Sequence, residues 1–160
     1  MEIRSLDMPD FEPLFALVLE VYSDSPESMW FSSAPTREGF RFVFRDKIEG
    51  IVLRDRVDLV AVENGRILGE CEIVRRRNET GVLGIIISRE QRRKGLGSSL
   101  LSQAAGLARR IGITRLRAEI SGNNGSAMVF LAKRGFSMNG TMPKESGAGL
   151  RNITLMLKEL

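Results

Sequence analysis

The sequence predicts an α+β protein, a three-layer arrangement in which about four helices flank a mixed, mostly antiparallel central sheet. Two segments with apolar residues at helical spacing follow the first strand, and three strands then succeed one another across short turns. A glycine-containing turn, a crossover helix, a further strand and helix, and a final pair of strands complete the chain. Short turns between successive strands are typical of antiparallel pairing, whereas a crossover helix is typical of a parallel pair.

The first half of the chain begins with a strand at residues 2–6 and a helix at residues 9–22. Residues 36–53 fit two patterns, because Phe40, Phe42 and Phe44 alternate as in a strand while Phe40, Val43 and Phe44 share a helix face with later isoleucines. We expect a helix there.

The second half predicts three strands, at residues 58–63, 67–75 and 82–88, with turns at Asn64-Gly65 and residues 78–81. A helix then begins near Leu96, a strand covers residues 114–120, and strands at 136–144 and 151–158 close the chain around the loop 145–149. The helix carries apolar residues at Leu96, Leu100, Leu101, Ala104, Ala105, Leu107 and Ala108.

Length and composition indicate one compact cytoplasmic domain over residues 1–160. A single cysteine, Cys71, excludes an intramolecular disulfide, and no apolar run reaches the roughly 18 residues that a membrane span needs. The N-terminal residues lack the basic and apolar regions of a signal peptide. The chain has no histidine and no cluster with zinc-ligand spacing, so we expect no metal.

The segment 84–101 is the strongest functional signal, since it joins an apolar strand to a helix through a turn rich in glycine and cations. Gly95 and Gly97 allow the backbone N–H groups to approach an anion closely. The helix start adds unpaired N–H donors and the positive end of its dipole. With Arg92, Arg93 and Lys94 at its mouth, this turn predicts a phosphate-bearing ligand.

Neither a P-loop nor a dinucleotide-binding fingerprint is present in this turn. Residues 92–97 instead read RxxGxG, and residues 123–136 read NNGSAMVFLAKRGF. Together the two segments resemble the acyl-CoA motifs of the GNAT superfamily of N-acetyltransferases, and their spacing is similar to that in protein N-terminal acetyltransferases. The second motif falls in order on Asn124, Ala127, Phe130, Leu131, Lys133, Gly135 and Phe136.

The resemblance implies an acetyl-CoA-dependent N-acetyltransferase whose central sheet splays apart to admit the acyl-pantetheine arm. The strand would offer its backbone to the pantetheine amides, the turn would hold the pyrophosphate, Asn124 would contact the cofactor arm and Lys133 would reach a phosphate. Asn124 could instead cap the following helix, or it could both cap the helix and contact the cofactor. The expected cofactor-binding residues are Ile85, Ile86, Ile87, Arg92, Arg93, Lys94, Gly95, Leu96, Gly97, Ser98, Asn124 and Lys133.

Acetyl transfer to nitrogen needs a proton acceptor, because an amine with a pKa near 10 is mostly protonated at pH 7. Glu119 matches the strand glutamate that serves as base in similar N-terminal acetyltransferases. The alternative for Glu119 is a structural carboxylate paired with Arg117 or Arg115. Glu70 and Glu72, on one face of another strand, are reserve bases.

The chain departs from the family pattern at Leu131, where a tyrosine usually serves as general acid. The single tyrosine, Tyr22, lies in or after the first helix, where packing explains it. A thiol with a pKa near 8.5 is a good leaving group, so transfer without that acid remains feasible. A CoA-binding sensor with little or no activity is the alternative that Leu131 favours.

The acceptor is an amine that the sequence does not identify: a peptide N-terminus, a lysine or a small compound. Trp30, Phe31 and Phe40 are candidates for its side of the site, although an apolar core explains them equally well. The net charge of +4 and the arginine clusters also fit an RNA-binding module, but no aromatic-interleaved motif supports that function. The oligomeric state is left open, a dimer included.

Overall fold

The computed structural model describes residues 1–29, 33–122, 124–146 and 149–160. Trp30 and Phe31, two of the aromatic residues considered for the acceptor side, lie outside this part of the chain. The described residues form seven strands and four α-helices. Their bounds are β1 (Glu2–Ser5), α1 (Phe11–Asp24), α2 (Arg37–Val52), β2 (Arg56–Glu63), β3 (Arg66–Arg75), β4 (Thr80–Ile87), α3 (Leu96–Arg110), β5 (Arg115–Ser121), α4 (Gly125–Ala132), β6 (Ser137–Ser146) and β7 (Gly149–Glu159).

The strands form one sheet in the order β1-β2-β3-β4-β5-β7-β6. All neighbours are antiparallel except β4 and β5, which run parallel on either side of α3 in the chain. The predicted mixed, mostly antiparallel sheet with four helices is therefore confirmed. The Asn64-Gly65 hairpin is also confirmed, since φ is positive at both residues, 51° and 74°.

The ambiguous segment 36–53 is helical, as expected. Thr36 caps α2, because its Oγ1 accepts a hydrogen bond from the Gly39 amide at 3.1 Å. Phe40 and Phe44, four residues apart, are both buried, whereas Phe42 is 58% exposed. The helical apolar stripe therefore outweighs the alternating one. In α3 the expected apolar face is buried except at Leu107, which points away from the sheet and is exposed.

The sheet has a packed core on each face. On one face, α3 and α4 cover side chains of β2 to β5, with Leu100, Ala104 and Leu116 at the centre. On the other face, α1 and α2 pack phenyl rings together, and the Phe15 and Phe40 ring centroids lie 5.3 Å apart. No helix among the described residues is both long and apolar enough to cross a membrane.

A buried ion cluster lies on the α1–α2 face of the sheet. Lys47 of α2 places its Nζ 3.2 Å from Asp58 Oδ2, 2.9 Å from Glu70 Oε1 and 2.5 Å from Glu72 Oε2. Arg56 adds a second cation, its Nη2 lying 3.4 Å from Glu72 Oε2. The three carboxylates have oxygens within 4.8 Å of one another. They share the Lys47 ammonium as their counter-ion, so the cluster is an ion-pair network.

The pKa values show how strongly this cluster depends on Lys47. Burial disfavours charge on Lys47, but attraction to Glu70, Asp58 and Glu72 outweighs it and holds the pKa of Lys47 above its usual range. Burial raises the pKa of Asp58 well above its usual range, and the neighbouring Glu70 adds to the effect. Burial acts on Glu72 in the same way, but Lys47 overcomes it and lowers the pKa of Glu72.

Replacing Lys47 by methionine is expected to lower the free energy of unfolding by about 3–5 kcal/mol at pH 7, because it leaves uncompensated buried carboxylates. Without the cation, the carboxyl pKa values rise in the folded state. A carboxyl group whose pKa is raised in the folded state stabilises the protein below its unfolded-state pKa, and this stabilisation is lost as the pH rises. The difference in unfolding free energy between the parent and Lys47→Met should therefore grow from pH 4 to pH 7. Urea denaturation across this pH range measures it.

The matched control is Lys133→Met, which removes an exposed lysine. Its unfolding free energy should match that of the parent. A Lys47→Met protein with parental stability at pH 7, or with a deficit that does not change with pH, would contradict the role given to Lys47.

Candidate functional site

The parallel pairing of β4 and β5 stops halfway along the two strands. It runs from Thr80↔Arg115 to Leu83↔Ala118 and ends there. Beyond this point β4 stays paired with β3 as far as Ile87↔Gly69, and β5 stays paired with β7 as far as Ser121↔Ile153. A gap therefore opens inside the sheet, and each of its two sides is a strand edge.

The predicted pantetheine-binding residues lie on the β4 side of this gap. Ile85, Ile86 and Ile87 all come after the last β4–β5 pair and are half-buried. Ile85 and Ile87 pack toward the α3 core, whereas Ile86 packs toward α1 and α2. Their side chains hold the strand in place from both faces. The backbone groups on the gap side are therefore available to an extended ligand, apart from the Ile87 carbonyl, which accepts from Arg92.

The turn after β4 contains residues 92–97 and is called the phosphate turn after its expected ligand. It has the backbone shape expected of an anion site. Arg93 and Gly95 have positive φ, 63° and 88°. Gly95 is the N-cap residue of α3 and contributes no side-chain cap, and a Cβ there would meet no atom within 4 Å. The first-turn N–H groups of α3, which begins at Leu96, thus receive no side-chain cap from this residue.

The cations of this turn have different positions. Arg92 donates from Nε to the Ile87 carbonyl at 3.2 Å and from Nη1 to Asp24 at the end of α1. This ion pair lowers the pKa of Asp24. The Arg92 side chain therefore braces the turn against α1, while Arg93 and Lys94 are exposed at its rim.

Arg134 is a candidate site residue that the sequence analysis did not single out. Its guanidinium stacks on Phe130, with Cζ 3.7 Å from the ring centroid, and donates from Nη1 to the Phe130 carbonyl at 2.7 Å. It also donates from Nε to Ser98 Oγ at 3.1 Å, and Ser98 lies in the first turn of α3. The available signal was the i, i+4 spacing of Phe130 and Arg134, although Arg134 lies in the turn directly after α4.

The other second-motif residues have simpler positions. Asn124 Oδ1 accepts a hydrogen bond from the Ala127 amide at 3.2 Å. Asn124 is therefore the N-cap of α4, as one of its two expected roles requires. Lys133 is exposed at the C-terminal end of α4. Gly97 faces Phe130, because a Cβ at Gly97 would lie 3.3 Å from that ring.

Glu119 is the first residue of β5 beyond the last pair with β4. Its side chain, 14% exposed, lies opposite the α3 face. Arg117 Nη2 lies 3.0 Å from its Oε1, and Lys144 Nζ of β6 lies 2.5 Å from its Oε2. Glu119 therefore forms the expected ion pair with Arg117 and a second one with Lys144. Arg115, the other expected partner, pairs with Glu159 instead.

The reserve bases lie on the same face as Glu119 but are held by the ion cluster. Glu70 is buried beside Lys47. Glu72 lies over Gly84, where a Cβ would come within 3.0 Å of its Cγ and Oε1. Glycine at this position thus makes room for the Glu72 side chain next to the gap.

Leu131, which stands in place of the usual tyrosine acid, is 4% exposed and packs in the α3 core. A tyrosine there would have to displace core side chains, a change that typically costs about 1–3 kcal/mol. Tyr22 is half-buried in α1. The hydrogen bonds that Glu119 accepts among the described residues come from Arg117 and Lys144.

Taken together, the geometry joins a strand edge, an uncapped helix start and a carboxylate along one gap. This arrangement can hold an extended amide-bearing chain with a phosphate at one end. At the other end, Glu119 can accept a proton from a cationic group.

Comparison with known proteins gives a family match. The sequence profile described as the acetyltransferase (GNAT) family matches residues 9–136. No curated protein matches the chain.

Solved structures share the fold over nearly the whole chain. A ribosomal-protein-alanine N-acetyltransferase from Brucella melitensis has 22% identity and a TM-score of 0.81, covering 100% of both chains. The protein yncA from Salmonella typhimurium, solved with its cofactor acetyl-CoA, has 22% identity and a TM-score of 0.83, covering 100% of this chain and 94% of the other. A phosphinothricin acetyltransferase from Sinorhizobium meliloti, in complex with AcCoA, has 20% identity and a TM-score of 0.82, covering 99% and 88%.

The profile match spans most of the chain, and it includes the phosphate turn and the second motif on either side of the gap. The expected family and enzyme class are therefore confirmed. The chain belongs to the GNAT family of acetyltransferases.

Proposed function

We propose that residues 1–160 form a single catalytic domain that transfers an acetyl group from acetyl-CoA to a primary amine by direct attack within a ternary complex. One observation carries this proposal: the gap between β4 and β5 leads from the uncapped start of α3 to the Glu119 carboxylate. The structures of yncA and of the Sinorhizobium enzyme, both holding acetyl-CoA, support the identity of the acyl donor.

The chain's own groups fit the donor along its length. The unpaired edge at Ile85–Ile87 suits the pantetheine amides, which would extend the sheet as a short strand does. The open N-terminus of α3 and the rim cations Arg93 and Lys94 suit the pyrophosphate. Arg134, seated on Ser98, adds a guanidinium at the same helix turn.

Glu119 would accept the proton of the attacking amine. A positioned base contributes about 10² to 10⁴ in rate, provided that it lies within hydrogen-bond reach of that proton. The sulfur would leave as a thiolate, which needs no adjacent acid because its pKa is near 8.5. Transfer by this route is compatible with a buried leucine, Leu131, in place of the usual tyrosine acid.

The acceptor is a peptide N-terminus, a lysine or a small amine. The Glu119 carboxylate already pairs with the Lys144 ammonium, and this supports a cationic amino group as its partner. The Brucella neighbour is named a ribosomal-protein-alanine N-acetyltransferase, which supports including peptide N-termini in an amine panel. The lone and buried Cys71 supports a reducing cytoplasm as the place of action.

Saturating acetyl-CoA is expected to stabilise the protein by about 2.7 kcal/mol at 100 times the dissociation constant, because it binds only the folded state. Thermal denaturation measures this shift. Gly97→Val should reduce it strongly, since the new side chain would push Phe130, 3.3 Å from the added Cβ, out of place.

Gly106→Val is the matched control on the same helix, because a Cβ at Gly106 meets no atom within 4 Å. It should keep the full shift. Absence of any shift in the folded parent, or an equal shift in the Gly97→Val protein, would contradict the assigned donor site.

Arg134→Gln is expected to weaken acetyl-CoA binding about 10-fold to 100-fold, because a hydrogen bond to a charged group contributes about 1.5–3 kcal/mol. Lys133→Gln removes the adjacent exposed cation and should have the smaller effect. Titration calorimetry with CoA compares the two. The reverse order would show that Lys133, as the second motif predicts, is the phosphate ligand.

Glu119→Gln is expected to lower turnover about 10² to 10⁴-fold at pH 7, as removal of a general base does. The loss should shrink as the pH rises, because more amine then arrives neutral. Thiol release from acetyl-CoA with a panel of amines measures turnover, and calorimetry should show nearly unchanged donor binding.

Parental turnover of the Glu119→Gln protein at pH 7 would pass the base role to Glu72, Glu70 or solvent. Donor binding without turnover on any amine in the parent would favour the sensor alternative.

A further inference from the structure

The β6–β7 hairpin brings an amine of the chain itself to the candidate base. The pairing of β5 with β7 ends at Ser121↔Ile153. The pairing of β6 with β7 continues beyond that level as far as Ser146↔Gly149. Lys144, opposite Arg151 in this extension, folds its side chain back so that Nζ lies 2.5 Å from Glu119 Oε2. The Lys144 side chain is 44% exposed, so it has room to move.

This contact has the geometry expected between a general base and its substrate. A base must lie within hydrogen-bond distance of the proton that it removes, and Lys144 Nζ meets this condition at Glu119. Glu119 also stands where the β4–β5 gap opens, which is the acetyl end of the proposed donor site. An acceptor from solution would have to occupy the place that the Lys144 ammonium fills.

We propose that Lys144 is an intramolecular acetyl acceptor, so that the protein acetylates itself at Lys144 Nζ. The inference rests on the proposed acetyl-CoA-dependent transfer and extends it to a modification site. Holding nucleophile and base together on one chain gives a high effective concentration, which favours this reaction over one with a dilute external amine.

The reaction balances with acetyl-CoA as the only co-reactant. Glu119 takes one proton from the Lys144 ammonium, and Nζ attacks the thioester carbonyl carbon. The new N–C bond forms as the C–S bond breaks, the sulfur leaves as a thiolate, and this thiolate takes up a proton to give free CoA. The second proton on nitrogen is lost to solvent as the amide forms.

The other four lysines differ in position. Lys47 is buried in the ion cluster, and Lys158 donates to the Arg134 carbonyl at 2.8 Å. Lys94 and Lys133 are exposed at the phosphate turn and at the end of α4. Lys133 is therefore a fitting internal control, since it is exposed to the same acetyl-CoA, whereas the ion pairs of Glu119 among the described residues are with Arg117 and Lys144.

The product would change the charge on this face of the sheet. An acetylated Lys144 carries no positive charge, so it cannot form the ion pair with Glu119. Glu119 would then keep only Arg117 as its cationic partner among the two observed here. Self-acetylation would thereby change how the site receives an external cationic amine.

The test is incubation of the purified full chain with acetyl-CoA and no added amine, followed by tryptic peptide mapping. Acetylation blocks cleavage after Lys144, so residues 135–151 should remain one peptide with the mass of one added acetyl group. We expect first-order modification of Lys144, with a rate constant that is independent of protein concentration. It should exceed modification of Lys133 by about 10²-fold, the lower range of a positioned base.

Two variants sharpen the test. Glu119→Gln should lower the rate at Lys144 by a similar factor while leaving the slow reaction at Lys133 unchanged. Lys144→Arg keeps a cation for Glu119 but removes the acceptor, so this variant should show no acetyl group between residues 135 and 151. Its thermal denaturation should match that of the parent and exclude misfolding as the cause.

Modification of Lys144 no faster than that of Lys133, a rate constant that rises with protein concentration, or a full rate in the Glu119→Gln protein would each overturn the proposal. The amine panel separates this failure from that of the proposed function. Thiol release with external amines and an unmodified Lys144 would refute self-acetylation alone, whereas no acetyl-CoA binding and no transfer of either kind would refute both.

Discussion

The structure depends above all on how short the parallel ladder between β4 and β5 is. Four residue pairs join the two halves of the sheet, and the strands then separate while each keeps its outer partner. A longer ladder would close the gap, and a shorter one would leave α3 alone to connect the halves. The phosphate turn follows from the same geometry, because β4 ends beside the start of α3.

Most of the fold could be predicted because local and tertiary preferences agree. The Phe40 and Phe44 stripe, the Thr36 cap and the Asn64-Gly65 turn each act within a few residues and need no distant partner. Within the site, the glycine turn and the Asn124 cap are local in the same sense. The Lys47 cluster is different, since α2 and two strands supply its members from far apart in the chain.

The side-chain partners of the site could not be predicted for this reason. Arg92 pairs with Asp24, which lies 68 residues earlier, and Arg134 reaches Ser98 across 36 residues. Both arginines belong to the two sequence motifs, but only packing shows that Arg92 braces the turn and that Arg134 lies at the helix start. Lys144 belongs to the same class, because the length of the β6–β7 hairpin decides where its amine falls.

The gap also gives the sheet an interior edge. Ile85, Ile86 and Ile87 form a short segment of high β-propensity whose gap-side backbone has no strand partner in β5. An edge of this kind pairs with any extended chain that reaches it, which is why proteins place charges beside such segments. Here the segment is followed within a few residues by three cations, Arg92, Arg93 and Lys94, which place positive charge at one end of the edge. A donor bound along β4 would cover the rest, so the supply of acetyl-CoA would govern the protein's resistance to aggregation as well as its catalysis.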